Sequence, residues 1–257
     1  MEPFPVLYSY RRCPYAMRAR MSIVAAGEQR ALKVEQREIV FWDKPADMLA
    51  ASPKGTVPVL VLPSGEVIEE SLDIMLWALT QGKGAYQIAG GDARLPEHAE
   101  AMQLIRQCDD EFKVHLDHYK YADRFPEASQ TVYRTQGEEF LEQLEALLVK
   151  GQSVEMIASD SIKQPGLPGL LHGQSSFVDL AIFPFVRQFA HVDKTWFAAA
   201  HYPCLRAWLA AYMDSDMFKS VMKNRPVWES NHAPLWVDEP ELQTKDQFRV
   251  KALSNAE

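Results

Sequence analysis

The stretch Arg11-Arg12-Cys13-Pro14-Tyr15-Ala16 joins two kinds of sequence pattern. Before it, residues 6–10 read as a short strand. After it, residues 15–26 carry Met17, Met21 and Val24 at helical spacing, with Ile23 beside them and Arg18 and Arg20 placed elsewhere on the helix. Gly27 is a natural stop for that helix. Pro14 suits the first helical position, where its missing N–H costs little. Cys13 therefore falls at or near the N-cap, where unpaired backbone N–H groups and the helix dipole favour a thiolate over a thiol. The adjacent Arg11 and Arg12 add positive charge. A structural cysteine at a strand end is the plainer alternative.

Outward from this turn the alternation continues. Residues 33–40 read as a second strand, 46–51 as a short helix after Pro45, and 59–62 and 66–68 as two strands around Pro63-Ser64-Gly65, a hairpin loop with glycine last. Residues 71–80 form another helix, with Leu72, Met75, Leu76 and Leu79 on one side. The order βαβ, short helix, ββα predicts a small mixed sheet with helices on its faces, its parallel unit crossing over right-handedly.

The pattern changes near residue 81. Residues 81–95, with Gly82, Gly84, Gly90 and Gly91 and followed by Pro96, read as a linker. Beyond them helical spacing dominates: 97–121, 131–150, 176–191 and 202–212, with a Pro- and Gly-rich loop over 161–173. The segment 224–257, holding Pro226, Pro234 and Pro240, is expected to be irregular. The expected organisation is an α/β domain over 1–80 and an all-helical domain over 96–257.

Charge and cysteine usage narrow the function. The net charge of −8 disfavours nucleic-acid binding, which needs clustered Lys and Arg. The start Met1-Glu2-Pro3-Phe4 does not read as a signal peptide, and the sequence has no apolar run of membrane-spanning length. Cys13, Cys108 and Cys204 are odd in number and far apart, so neither a disulfide framework nor a metal cluster is expected, and a reducing cytoplasmic setting fits. Cys108 and Cys204 read as buried small hydrophobes. His115 and His118 have no third ligand in view, so no metal site is expected.

Two further elements sit near the first. Ser52-Pro53-Lys54-Gly55-Thr56-Val57-Pro58-Val59-Leu60 places a proline directly before a strand, where it marks a strand start or a cis turn. Glu69-Glu70-Ser71-Leu72-Asp73 places Ser71 as a natural N-cap. Acidic residues and the helix start they precede can together hold the two ends of a zwitterionic peptide, the cation by carboxylate and the carboxylate by N–H and hydroxyl, although plain capping is the commoner use of such a pattern. Since Ala16 follows where a second cysteine would stand, a two-cysteine exchange within the motif is excluded and a one-thiol mechanism remains.

Taken together, the strand–Cys13-Pro14-Tyr15-Ala16–helix, Val57-Pro58-Val59-Leu60 and Glu70-Ser71 elements resemble the N-terminal thioredoxin-like domain of cytosolic glutathione transferases. The resemblance is to the cysteine-type members, the omega class and its bacterial relatives. Gly173-Gln174-Ser175-Ser176-Phe177-Val178-Asp179 resembles the family's C-terminal signature, a structural capping box in which Ser176 and Asp179 bond reciprocally. The likeness spans about residues 5–223.

The resemblance implies the glutathione transferase fold, an α/β thioredoxin-like domain plus an all-α C-terminal domain that contributes a second-substrate pocket. It implies glutathione as co-substrate, Cys13 as catalytic thiol, the Val57 backbone on the cysteinyl unit, Glu70 and Ser71 on the γ-glutamyl end and Lys44 on the glycyl carboxylate. The leading function is glutathione-dependent thiol transfer or reduction of a mixed disulfide or small oxidant. Conjugation of glutathione to a small-molecule electrophile and a non-catalytic interaction role on the same fold stay open beside it. A homodimer is expected. Tyr8 and Tyr10 need no catalytic role. Trp208, Tyr212, Phe218, Trp228 and Trp236 read as core and tail packing, Phe112, Tyr119 and Tyr121 as pocket candidates, and the tail after Asn224 as a cover for the electrophile pocket.

Overall fold

The computed structural model describes residues 4–27, 32–81, 96–157, 166–171, 173–230 and 232–239. By contacts the chain forms two compact units, Met1–Gly84 with Asp216–Glu257, and Ala85–Ser215. The expected helical domain over 96–257 is thus divided, because its last segment packs on the N-terminal unit.

The first unit is built on a four-stranded sheet of order β2-β1-β3-β4. The strands are β1 (Val6–Ser9), β2 (Glu35–Glu38), β3 (Val59–Val61) and β4 (Val67–Ile68). β1 pairs in parallel with β2 and antiparallel with β3, and β3 pairs antiparallel with β4. Between them lie α1 (Pro14–Gly27), α2 (Ala46–Ala51) and α3 (Ser71–Gln81). Helix α1 packs against α3 and against α10 (Asp216–Val221). Under α2, Met48 joins Tyr8, Ile39, Val57 and Val59 in one cluster, with Tyr10 and Cys13 against it. This cluster positions the Cys13 turn, because strand, turn and Val57 loop share its apolar side chains.

Two departures from the sequence pattern matter. Arg18 and Arg20, expected off the packed face of α1, are buried at 2% and 0% exposure. The helix is sequestered on nearly every side, so both guanidinium groups must find partners inside. Second, the described part of the expected irregular tail lies along β2. Trp228 N–H donates to the Glu38 carbonyl (2.8 Å), Gln36 N–H to Leu235 (2.6 Å) and Val237 N–H to Val34 (3.0 Å). Glu35 and Trp236 form an antiparallel bridge. Trp228 lies under the Arg37 guanidinium and Trp236 under Lys33.

The second unit comprises α4 (Pro96–Gln107), a π-helical turn (Cys108–Phe112), α5 (Lys113–Lys120), α6 (Gln130–Ile157), α7 (Phe177–Ala190), α8 (Lys194–Ala199) and α9 (Pro203–Asp214). Helix α7 is apolar almost all round, and Phe183 and Phe189 meet Trp208, Tyr212, Phe112 and Tyr119. Ser176 and Asp179 form the expected capping box. Asp179 does more than cap. Its Oδ1 accepts from the Leu170 N–H (2.8 Å) and from Trp208 Nε1 (2.8 Å), while Oδ2 accepts from the Ser176 N–H (2.8 Å) and hydroxyl (3.0 Å). Burial, opposed by these donors, raises its pKa to about 6. Among the described residues no helix is long and apolar enough to cross a membrane.

Candidate active site

Cys13 closes the turn between β1 and α1. Its N–H donates to the Tyr10 carbonyl (3.0 Å), and its carbonyl accepts from Met17 N–H (2.9 Å), so it is the N-cap and Pro14 the first helical residue. The side chain is partly exposed and its Sγ–H donates to the Val57 carbonyl at 3.7 Å. The Val57–Pro58 peptide is cis. The structure therefore brings together two elements that lie 44 residues apart in sequence. Cys13 thus stands at the N-terminus of a 14-residue helix, whose first N–H groups have no intrahelical partner.

The loop before Pro58 holds the other expected residues in a second group. Gly55 adopts φ +61°, a left-handed conformation that glycine enters without strain. The Lys44 ammonium lies so close that a Cβ on Gly55 would come within 3.1 Å of it. Glu69 accepts from the Ser52 hydroxyl at 2.5 Å, which holds its pKa below the ordinary carboxylate value. Lys54 bridges Glu69 (3.5 Å) and Glu70 (3.3 Å). Lys54 had no role in the sequence reading. Its pairing across 16 residues depends on the loop's return to the start of α3, which no local pattern encodes.

Ser71 is not the N-cap of α3. The Glu70 carbonyl accepts from Ile74 N–H (3.0 Å), so Glu70 is the cap and Ser71 the first helical residue. The Ser71 hydroxyl is buried and accepts from Arg18 Nε at 3.0 Å. The Glu70 side chain is 70% exposed and its carboxylate meets Lys54 at the surface. An open carboxylate thus stands directly before a helix start whose own N–H groups face the same end.

Beneath the Cys13 turn lies a charged group that the sequence did not reveal. Arg20 reaches the Ser9 hydroxyl (2.5 Å) and the carbonyls of Tyr10 (3.3 Å) and Arg11 (2.8 Å). The Arg11 N–H donates to Glu38 Oε1 at 2.5 Å, and Gln36 donates to Glu38 Oε2 at 3.1 Å. Arg225 also faces Glu38. Burial lowers the Arg20 pKa to about 10, with Glu38 and Cys13 opposing that shift. Burial raises the Glu38 pKa, opposed first by Arg20. The flanking Arg12 turns instead to the surface, where its guanidinium bonds the Tyr10 hydroxyl.

The remaining candidates are structural. Phe112 and Tyr119, expected to line a pocket, are core residues at 1% exposure. Tyr121 is flanked by Lys120 and Arg124. Tyr8 is buried and its hydroxyl accepts from Arg37. His118 stacks on Phe125 and Tyr133, and the described residues contain no metal-binding group of three or more ligands. Cys108 is buried as expected, whereas Cys204 is partly exposed at the start of α9. A cleft of about 570 Å³ in the helical unit is lined by Glu138, Glu142, Glu145, Trp196, His201 and Tyr202. Its carboxylates are largely committed: Glu138 meets Arg134 and Tyr202, and Glu145 accepts from the Cys204 and Leu205 N–H groups.

Residues 7–84 match the family model of the glutathione S-transferase N-terminal domain. Among curated proteins no sequence match is found. Solved structures with the same fold include Leishmania TDR1, a trimeric glutathione transferase, at 22% identity and TM-score 0.64, covering 96% of this chain. This chain spans 48% of that one, about half its length. Yeast Ure2p in complex with S-hexylglutathione aligns at 13% identity and TM-score 0.68, over 87% of this chain and 100% of that one. Glutathione transferase Omega 3C from Trametes versicolor aligns at 17% identity and TM-score 0.62, over 88% and 92%. The chain thus has the glutathione transferase fold, and its residues 7–84 match the N-terminal domain of that family.

Proposed function

We propose that this protein is a glutathione-dependent thiol transferase with Cys13 as its nucleophile. The observation that carries the reading is the placement of the Cys13 Sγ at a helix N-cap, 3.7 Å from the Val57 carbonyl. The thiolate is the attacking form in disulfide exchange, and a helix N-terminus favours it. Structures of similar fold hold glutathione, among them Ure2p and a Pseudomonas fluorescens glutathione transferase family member. In the proposed cycle the Cys13 thiolate attacks the glutathionyl sulfur of a mixed disulfide. The S–S bond breaks, the substrate leaves as a thiolate that takes up a proton, and Cys13 retains the glutathionyl group. A second glutathione thiolate then attacks that group, releasing oxidised glutathione and restoring the Cys13 thiolate.

The binding roles follow from the second group of residues. The Val57 backbone pairs with the cysteinyl unit as an added strand does. Glu70 takes the γ-glutamyl ammonium, exchanging an exposed partner, Lys54, for the ligand. Exposed ion pairs are weak, so the exchange is cheap. Ser71 and the N–H groups at the start of α3 take the γ-glutamyl carboxylate, and Lys44 takes the glycyl carboxylate. The working form in this reading is a homodimer in a cytoplasmic, reducing setting. One neighbour is described as the nitrogen regulation fragment of a yeast prion protein, which keeps a non-catalytic role on this fold as the competing reading.

Two variants test the proposal. Cys13→Ser is expected to abolish mixed-disulfide reduction while calorimetry still detects glutathione binding, because serine without an adjacent base is a poor nucleophile. Glu70→Ala is expected to raise the KM for glutathione by about ten- to a hundredfold, since a hydrogen bond to a charged group is worth about 1.5–3 kcal/mol. Undiminished reduction by Cys13→Ser would refute the mechanism and favour conjugation or a binding role.

A further inference from the structure

We infer that Arg20 is a positioning residue for Cys13: buried under the β1–α1 turn, it fixes the turn's carbonyls and holds a permanent positive charge behind the thiolate, with Glu38 as its counter-charge. The inference rests on the reading of Cys13 as nucleophile and adds the group that prepares it.

The geometry has three parts. Arg20 is fully buried on α1 and donates to Ser9, the last residue of β1, and to Tyr10 and Arg11, the next two residues of the chain. One guanidinium thus spans the whole approach to Cys13. Glu38, on the neighbouring strand, accepts from the Arg11 N–H and so grips the same turn from the other side. The groups facing Arg20 are Glu38 from β2, Arg11 and Cys13 from the turn, and Arg225 from the C-terminal segment. The pair Arg20–Arg225 against Glu38 leaves the buried group net positive. Among the described residues, Arg20 Nε and Arg225 Nε and Nη1 lack a hydrogen-bond partner, so part of this buried charge is left uncompensated. A fixed charge shielded from water acts strongly on a nearby ionisable thiol. Arg11 and Arg12, the cations that the sequence places beside Cys13, serve this purpose less: the Arg12 guanidinium is tied to Tyr10 at the surface and that of Arg11 turns to the Met222 carbonyl.

Structural and electrostatic roles predict different signs. If Arg20 and Glu38 only brace the turn, removing either loosens Cys13 in the same way. If their charges act on the thiolate, removing Arg20 raises the Cys13 pKa and neutralising Glu38 lowers it. The test is the rate of iodoacetamide alkylation at Cys13 against pH, followed on the Cys13 peptide by mass spectrometry, in the full-length protein and its Arg20→Met, Arg20→Lys and Glu38→Gln variants.

Arg20→Met is expected to raise the midpoint by about one pH unit, a roughly tenfold loss of thiolate below the midpoint. Arg20→Lys is expected to restore it to within about 0.3 unit, and Glu38→Gln to lower it. An unchanged midpoint in folded Arg20→Met, or a rise in both Arg20→Met and Glu38→Gln, overturns the inference. Should Arg20→Met not fold, Arg20→Lys and Glu38→Gln decide by the same signs: a fall in Glu38→Gln with Arg20→Lys near wild type supports it, and any other result overturns it. Alkylation needs no glutathione, so failure here is distinct from retained disulfide reduction by Cys13→Ser, which would sink the catalytic reading while leaving these midpoints intact.

Discussion

Replacing Asp179 with alanine separates two opposing effects of one buried carboxylate. Its Oδ1 is the acceptor for Leu170 N–H and Trp208 Nε1, both from residues at 1% exposure. Each buried donor left unpaired costs about 1–3 kcal/mol, so their joint loss costs about 4 kcal/mol. Against this stands the burial that raises the carboxyl from 3.8 to about 6. That shift of about two units corresponds to about 3 kcal/mol. The sign follows from proton binding. Between pH 3.8 and about 6 the native state keeps a proton that the unfolded chain has released, so unfolding free energy falls as pH rises through this window and then levels. The proton belongs on Oδ2, where the Ser176 hydroxyl can turn from donor to acceptor, while Oδ1 serves its two donors in either state. Asp179→Ala is therefore expected to cost about 4 kcal/mol near pH 4 but only about 1 kcal/mol at pH 7.5. Urea unfolding of wild type and variant at both pH values measures the difference, and other titrating groups cancel between the two proteins. An equal penalty at both pH values, or a larger one at pH 7.5, would show that the four donors fully compensate for burial and that the carboxylate is ionised without cost.

Two further outcomes are expected. Gly137→Ala should lower the thermal midpoint even though alanine favours helix by about 1 kcal/mol, because the new Cβ would lie 2.5 Å from the Phe189 ring and overpacking costs about 1–3 kcal/mol; an unchanged or raised midpoint contradicts this. Sedimentation at micromolar concentration should report a two-fold dimer, the commonest closed assembly; a monomer alone contradicts it.

The chain order of strands and helices in the first unit and the placement of Cys13 were legible because they rest on local periodicity and turn chemistry, whereas the lateral order of the strands was not. Residues 46–51 form the expected helix to the residue, and the Pro63-Ser64-Gly65 turn lies between β3 and β4 as read. The equally short helices α8 and α10 were not legible: six residues are less than two turns and leave no period to detect, and neither follows a proline as α2 follows Pro45. Burial of Arg18 and Arg20 was also hidden. A helix pattern names the apolar face, but only the tertiary arrangement tells whether the opposite face meets solvent or more protein. Ser71 shows a finer limit: its residue type suits a cap, yet the helix starts one residue earlier and the hydroxyl serves Arg18 instead. The Lys54 and Arg225 pairings join distant segments, and charge alone does not reveal which partner a cation meets.

The segment along β2 has a consequence for how this protein is made. The N-terminal unit is discontinuous in sequence, since Gln36 and Val34 take partners at Leu235 and Val237. About two hundred residues must be synthesised between a strand and its neighbour, and closing so long a loop is slow and exposes the unpaired edge meanwhile. On the ribosome, the segment that carries Cys13 emerges about two hundred residues before the one that completes the outer edge of its sheet.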